Sequence, residues 1–113
     1  MGSAALKKLD IRQLVSRLPC VCCPLPETAR EDIQWILENL DIAPKISDPH
    51  HLTSRGAGGG DEPENVISMC RDHHNEVEAP WGGLARMIQK YPRLRIWLEE
   101  AGRQDLLDRE PAP

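Results

Sequence analysis

Apolar residues recur at roughly helical spacing from the start of the chain. Leu6, Leu9, Leu14, Val15 and Leu18 line one face of residues 4–18, which predicts a first amphipathic helix. Pro19 stops it, and the run PCVCCPLP follows, a rigid turn with prolines on both sides of three cysteines. Thr28 with Glu31 three residues later has the form of a capping box. Ile33, Ile36, Leu37 and Leu40 then form one apolar face, so a second helix is expected to end before Pro44. In residues 45–53 the strongly apolar side chains are Ile46 and Leu52, and a strand is expected there. RGAGGGDEPE, residues 55–64, is a loop, because no regular element tolerates four glycines and a proline so closely. NVISM has strand character and CRDHHNEVEA begins a short helix. After Pro80, GLARMIQKY and PRLRIWLEEAG read as two more helices, with Pro92 in the first turn of the second and Gly102 at its end.

The pattern predicts an α+β domain built on a strand–loop–strand–helix unit with flanking helices. No internal repeat interrupts it. Residues 1–18 form an N-terminal helical extension, 19–101 the domain proper, and 102–113 a tail expected to be flexible.

Composition narrows this picture. A chain of 113 residues makes one domain, and its core is thin: the aromatic residues are Trp35, Trp81, Tyr91 and Trp97. The tryptophans lie in or beside helical apolar patterns and are expected in that core. Small domains with modest cores often add a metal. No apolar run approaches the roughly 18 residues that cross a bilayer, and the start lacks the apolar centre of a signal peptide. A cytoplasmic protein with no membrane partner is therefore expected. In that reducing compartment the four cysteines read as metal ligands or thiols rather than disulfides. The formal net charge of −4 opposes binding to a polyanion, so nucleic-acid binding would need a local basic patch or bound cations. There is no coiled-coil repeat to set an oligomeric state.

The candidate chemistry is concentrated in cysteines and histidines. Cys20 and Cys23 stand at the two-residue gap that lets two thiolates reach one tetrahedral ion, and Cys70 and His73 form a matching half-site. Together they predict a closed structural zinc site that staples distant segments. Cys22 competes with Cys23, but a one-residue gap suits two ligands of one ion less well. His50, His51 and His74 are left over, and a pure zinc staple has no use for them. His74 follows a predicted zinc ligand at a helix start, so its ring should leave by a neighbouring face. His50 and His51 lie on a predicted strand, where successive side chains point to opposite faces.

The order His-His, glycine-rich loop, NVISMC, CRDHHNE resembles the Cys-flanked branch of the HNH endonucleases, which share the ββα-metal fold. Asn65 stands five residues before Cys70 and nine before His74, as in that family's motif, with His73 in place of its second cysteine. The usual Asp-His doublet is His50-His51 here. YPRLRIWLEE is similar to the C-terminal helices of phage-borne members, which implies phage proteins, those of packaging included, as partners. The resemblance spans about residues 18–100 and is specific over 48–78. The segment between Cys23 and His50 is longer than in many members.

The resemblance implies a metal-dependent DNA endonuclease that hydrolyses phosphodiesters, by nicking or double-strand cleavage, to leave a 5′-phosphate. His51 would be the general base, and a neutral imidazole can take that role near neutral pH. His50 and His74 would hold the catalytic divalent metal, and Asn65 would fix the loop beside the base. Two imidazoles favour Mn2+, Co2+, Ni2+ or Zn2+ over Mg2+. Asp48 could add an oxygen. Glu78, one helical turn after His74, reads first as a solvated helix glutamate. DNA contacts are expected from Arg55 and Arg71, while Arg86, Lys90, Arg93 and Arg95 read as solvated. Two other classes compete: a non-catalytic zinc-binding module for DNA or a partner, and a thiol redox protein using Cys20, Cys22 and Cys23.

Overall fold

A computed structural model describes residues 11–109 and, within them, every side chain but that of Arg55. Positions 4–10 of the expected first helix, and the end of the tail from residue 110, therefore lie outside the described residues. The chain is mixed α+β. Helix α1 (Ile11–Val15) and helix α2 (Ala29–Glu38) precede strand β1 (Asp48–His51). Two short 3-10 turns (Arg55–Ala57 and Pro63–Asn65) then lead to strand β2 (Val66–Met69). Helices α3 (Arg71–Glu78), α4 (Leu84–Lys90), α5 (Pro92–Glu100) and α6 (Gln104–Leu107) complete it.

The two strands pair antiparallel, Asp48 opposite Met69 and His51 opposite Val66. Pro49 is tolerated because β1 is an edge strand and needs no amide there. All four residues of β2 are buried, which is why VISM shows no polar alternation. The Cys20 turn lies alongside β2: the Val21 amide donates to the Ser68 carbonyl at 2.9 Å, and Ser68 Oγ donates to the Pro19 carbonyl at 2.6 Å. Helix α3 packs on both strands, yet none of its residues is buried. It is a polar helix at the surface, with His73 and His74 half-buried on it.

The main core gathers Ile67 and Met69 from β2 with Met87, Leu94, Leu98 and Leu106 from the last three helices. A smaller cluster joins Ile36, Leu40 and Ala43 to Leu14 and Leu18.

Four expectations are corrected here. The tail does not begin at residue 102: α6 is helical and Leu106 is fully buried, because the Gly102 turn (φ +73°) folds the chain back onto the core. The Thr28 capping box is absent. Thr28 has φ −85° and ψ 7° rather than the extended backbone of a cap, and its hydroxyl donates to Asp32 at 2.9 Å instead. Trp35 and Trp81 are exposed, at 48% and 68%, and only Trp97 packs against the core. Helix α2 meets one small cluster, so Leu37 as well as Trp35 is left outside. Among the described residues no helix is long and apolar enough to cross a membrane.

Candidate metal centres

The turn beside β2 and the first turn of α3 bring Cys20, Cys23, Cys70 and His73 together. His73 Nδ1 lies 3.3 Å from Cys20 Sγ, 3.5 Å from Cys23 Sγ and 3.2 Å from Cys70 Sγ, and the sulfurs of Cys23 and Cys70 are 3.9 Å apart. Around a tetrahedral zinc with bonds of about 2.3 Å to sulfur and about 2.0 Å to nitrogen, such edges are roughly 3.5 Å and roughly 3.8 Å. The four side chains could thus hold a metal ion together, in an arrangement compatible with zinc. Cys22 stands outside it, and its amide donates to Cys20 Sγ at 3.4 Å.

Electrostatics supports the same conclusion. The Cys22 thiol, by hydrogen bonding to Cys20, holds Cys20 below the usual thiol range. Burial, reinforced by Cys20, pushes Cys23 above it. By themselves the thiols oppose one another, and a dication among them lets all three ionise. Arg93 fastens the turn from the other side by donating to the carbonyls of Cys20 and Cys23. Arg93 is therefore a structural residue rather than the solvated one expected.

The next residue of α3 starts a second cluster. Ligand atoms of His50, His74 and Glu78 all lie within 4.8 Å of one another, close enough to hold an ion. Asp48 and His50 are two apart on β1 and share the face toward α3. His74 Nδ1 lies 3.0 Å from Asp48 Oδ2, and His74 Nε2 lies 3.2 Å from Glu78 Oε1. The carboxylate of Asp48 is the hydrogen-bond partner of Nδ1, and Nε2 is the nitrogen on the side of Glu78. Asp48 thereby fixes the orientation of the His74 ring beside the group. Burial, with His74 next, holds the His50 pKa below its ordinary value. Glu78, read first as solvated, joins the cluster although its side chain is 62% exposed.

His51 stands apart from that group. Its Nε2 lies 2.7 Å from Asp61 Oδ1, and Asp61 Oδ2 is 3.8 Å from Arg12 Nε. His51 is still near enough to disfavour charge on His50.

Asn65 is 4% exposed and holds the intervening loop at several points. Its Nδ2 donates to the carbonyls of Thr53 (3.0 Å) and Gly60 (2.8 Å), and its Oδ1 accepts from the Thr53 amide at 2.8 Å. The segment just after His51 is thereby fixed, as expected of Asn65. Gly59 is required for this lock, because a Cβ there would run into the Thr53 carbonyl and Asn65 Nδ2.

Arg71 lies next to the second cluster, with Nε 3.3 Å from Asp48 Oδ2 and a largely exposed side chain. Arg55 begins the first 3-10 turn, but its side chain is outside the described residues. Asp61 and Arg103 went unread in the sequence. Arg103 donates to Asn65 Oδ1 and the Glu64 carbonyl, each at 3.1 Å, and to Thr53 Oγ1 at 3.0 Å. Neither carries a local signal. Asp61 sits among loop polar residues, and Arg103 in a segment that reads as tail.

Comparison with known proteins adds little to this geometry. No family model matches the chain, and no solved structure matches it. It is similar to the uncharacterized protein YdfU of Escherichia coli (strain K12), with 33% identity over 66 residues. Those residues are 56% of this chain, which spans 14% of the length of that relative.

Proposed function

We propose that the chain is a zinc-stapled HNH endonuclease with a ββα-metal core, hydrolysing phosphodiester bonds of DNA to leave a 5′-phosphate. One observation carries this reading. Adjacent residues of α3 face two different donor sets, His73 the sulfur cluster and His74 the group with His50 and Glu78, while His51 stays outside both with a carboxylate partner. A zinc staple alone accounts for the first set and leaves the second without a role.

His50, His74 and Glu78 would hold the catalytic divalent cation. Their two nitrogens favour Mn2+, Co2+, Ni2+ or Zn2+, and the Glu78 oxygen widens the choice toward Mg2+. Such a cation, when bound, supplies Lewis-acid stabilisation of charge on the phosphate. The chain supplies the rest. His51, donating Nε2–H to Asp61, presents Nδ1 as the base that takes a proton from the attacking water. Asp48 keeps His74 in the tautomer that offers Nε2. Asn65 holds the backbone beyond His51 and so limits how far the base can drift.

The test is nicking of supercoiled plasmid by zinc-loaded protein with each divalent metal added, beside His51→Ala. Metal-dependent nicking that the variant loses supports the reading. The second reading, a non-catalytic zinc module that binds DNA or a partner, draws on the occupation of His51 Nε2 by Asp61. It predicts no nicking with any metal from a folded protein that holds one zinc.

A further inference from the structure

A groove of about 510 Å³ opens beside the second cluster, between α1 and the segment that enters β1. Arg12, Lys45 and Arg71 line it, with Gln13 and Ser47 as further polar groups. Its placement follows from local bonds. The amides of Ile46 and Ser47 donate to the Ser16 carbonyl at 2.8 and 2.9 Å, and Ser47 Oγ donates to the Leu18 carbonyl at 2.7 Å. These bonds pin residues 45–47 against the end of α1, so Lys45 lines the same groove as Arg12 although 33 positions separate them in the chain. Asp48 is the carboxylate lining the groove among the described residues, and it is already engaged by Arg71 and His74. The groove thus gathers Arg12, which also meets Asp61 at 3.8 Å, with Lys45 and Arg71 on a chain whose formal net charge is −4. One end of it is Asp48 itself, the residue that orients His74.

We propose that this groove binds the sugar–phosphate backbone of DNA next to the bond to be cut, with Arg12 and Lys45 as phosphate contacts beside Arg71. The inference rests on the endonuclease reading for its substrate. It goes beyond that reading in naming where the strand runs and which cations meet it. Side chains on two separate walls suit a backbone that carries a charge at every step. They also account for how an acidic protein holds a polyanion, since affinity depends on the cations at the contact and not on the net charge.

The experiment is fluorescence anisotropy of a labelled DNA duplex with the full-length, zinc-loaded protein and no other metal added, across a salt series. The variants are Arg12→Ala/Lys45→Ala, the single charge reversal Lys45→Glu, and Arg95→Ala, an exposed cation of α5 outside the groove. The double variant is expected to bind on the order of tenfold more weakly, with the slope of log affinity against log salt shallower by roughly 1.8. Lys45→Glu, at an exposed position, should weaken binding with zinc content unchanged, which guards against a folding artefact in the double variant. Arg95→Ala should bind as wild type does. Unchanged affinity and slope in both groove variants overturn the inference, even if the wild-type protein nicks plasmid. Weakened binding in a protein that never nicks keeps the groove and removes the nuclease reading. Absence of duplex binding at any salt removes both.

Discussion

Asp48 Oδ2 lies 3.0 Å from His74 Nδ1, and that contact joins the first residue of β1 to the strand-facing side of α3. The other ring nitrogen, Nε2, is the one on the side of Glu78, at 3.2 Å. Asp48→Asn keeps the shape but weakens the acceptor. Affinity of the second cluster for Ni2+ or Mn2+, measured by calorimetry on zinc-loaded protein, should fall by about 10- to 100-fold. Zinc stoichiometry should stay the same. Unaltered affinity would mean that His74 does not bind through Nε2.

The sulfur cluster distinguishes Cys22 from Cys23. Cys23→Ala removes one of the four donors and should lower both zinc content and thermal stability sharply. Cys22→Ala should retain one equivalent of zinc, because Cys22 lies outside the donor set. Metal analysis with a thermal melt on each variant decides it. A chelator strong enough to remove a bound zinc should loosen the whole core, since Cys20, Val21 and Cys22 belong to the same buried cluster as Ile67 and Met69.

The C-terminal helix is predicted to be part of the fold. Leu106 is fully buried, so Leu106→Ala should cost about 2–5 kcal/mol in denaturant unfolding. Arg103→Ala should cost less in stability and act on the loop lock instead, because its guanidinium bonds Asn65, Thr53 and Glu64. Faster amide exchange at Thr53, whose amide donates to Asn65, is the expected readout.

Gly59→Ala is predicted to disturb that lock from the other side, as an added Cβ must push away Thr53 or Asn65. Its effect on stability should not add to that of Asn65→Ala, since both act on one contact. A double-mutant cycle in urea tests this, and simple additivity would place the two residues in separate networks.

Acid sensitivity is expected around Glu76. Burial raises its pKa, but hydrogen bonds from Tyr91 (2.6 Å) and Lys90 (3.2 Å) outweigh it and leave the carboxyl below its ordinary value of 4.5. A folded-state pKa depressed in this way adds stability above the unfolded value, and the addition is lost as pH falls through the folded one. Tyr91→Phe keeps the ring that packs on His73 and removes the hydroxyl. Wild type should exceed Tyr91→Phe in stability at neutral pH, and the gap should narrow below about pH 4.5. A gap that widens in acid would reverse the assignment.

Much of the site was legible from local spacing. The two half-sites Cys20-x-x-Cys23 and Cys70-x-x-His73 require only a turn and a helix start, and the structure joins them. The position of His74 on a different face from His73 follows from helical geometry, and the split of His50 from His51 from strand alternation. The strand–loop–strand–helix order and the four longer helices were readable for the same reason, since each depends on periodicity within a dozen residues. What failed were judgements about burial. Trp35 and Trp81 lie in or beside apolar helical patterns, but among the described residues too little packs against them to bury them. Leu106 lies in a short polar-looking end, but the Gly102 turn brings it into the core. The residues that tune the site were also decided only in three dimensions. Asp48 with His74, Asp61 with His51 and Arg103 with Asn65 are pairs separated by 26, 10 and 38 positions. A polar side chain in a loop carries no periodic signal, and its partner is set by how β1, β2 and the last helices close around Ile67 and Met69. Local spacing was enough to single out the cysteines and histidines of both clusters, though not Glu78, and most of the elements that present them. The tertiary structure decided which carboxylates, guanidinium groups and groove walls stand beside those ligands, because such contacts arise only when distant segments share a core.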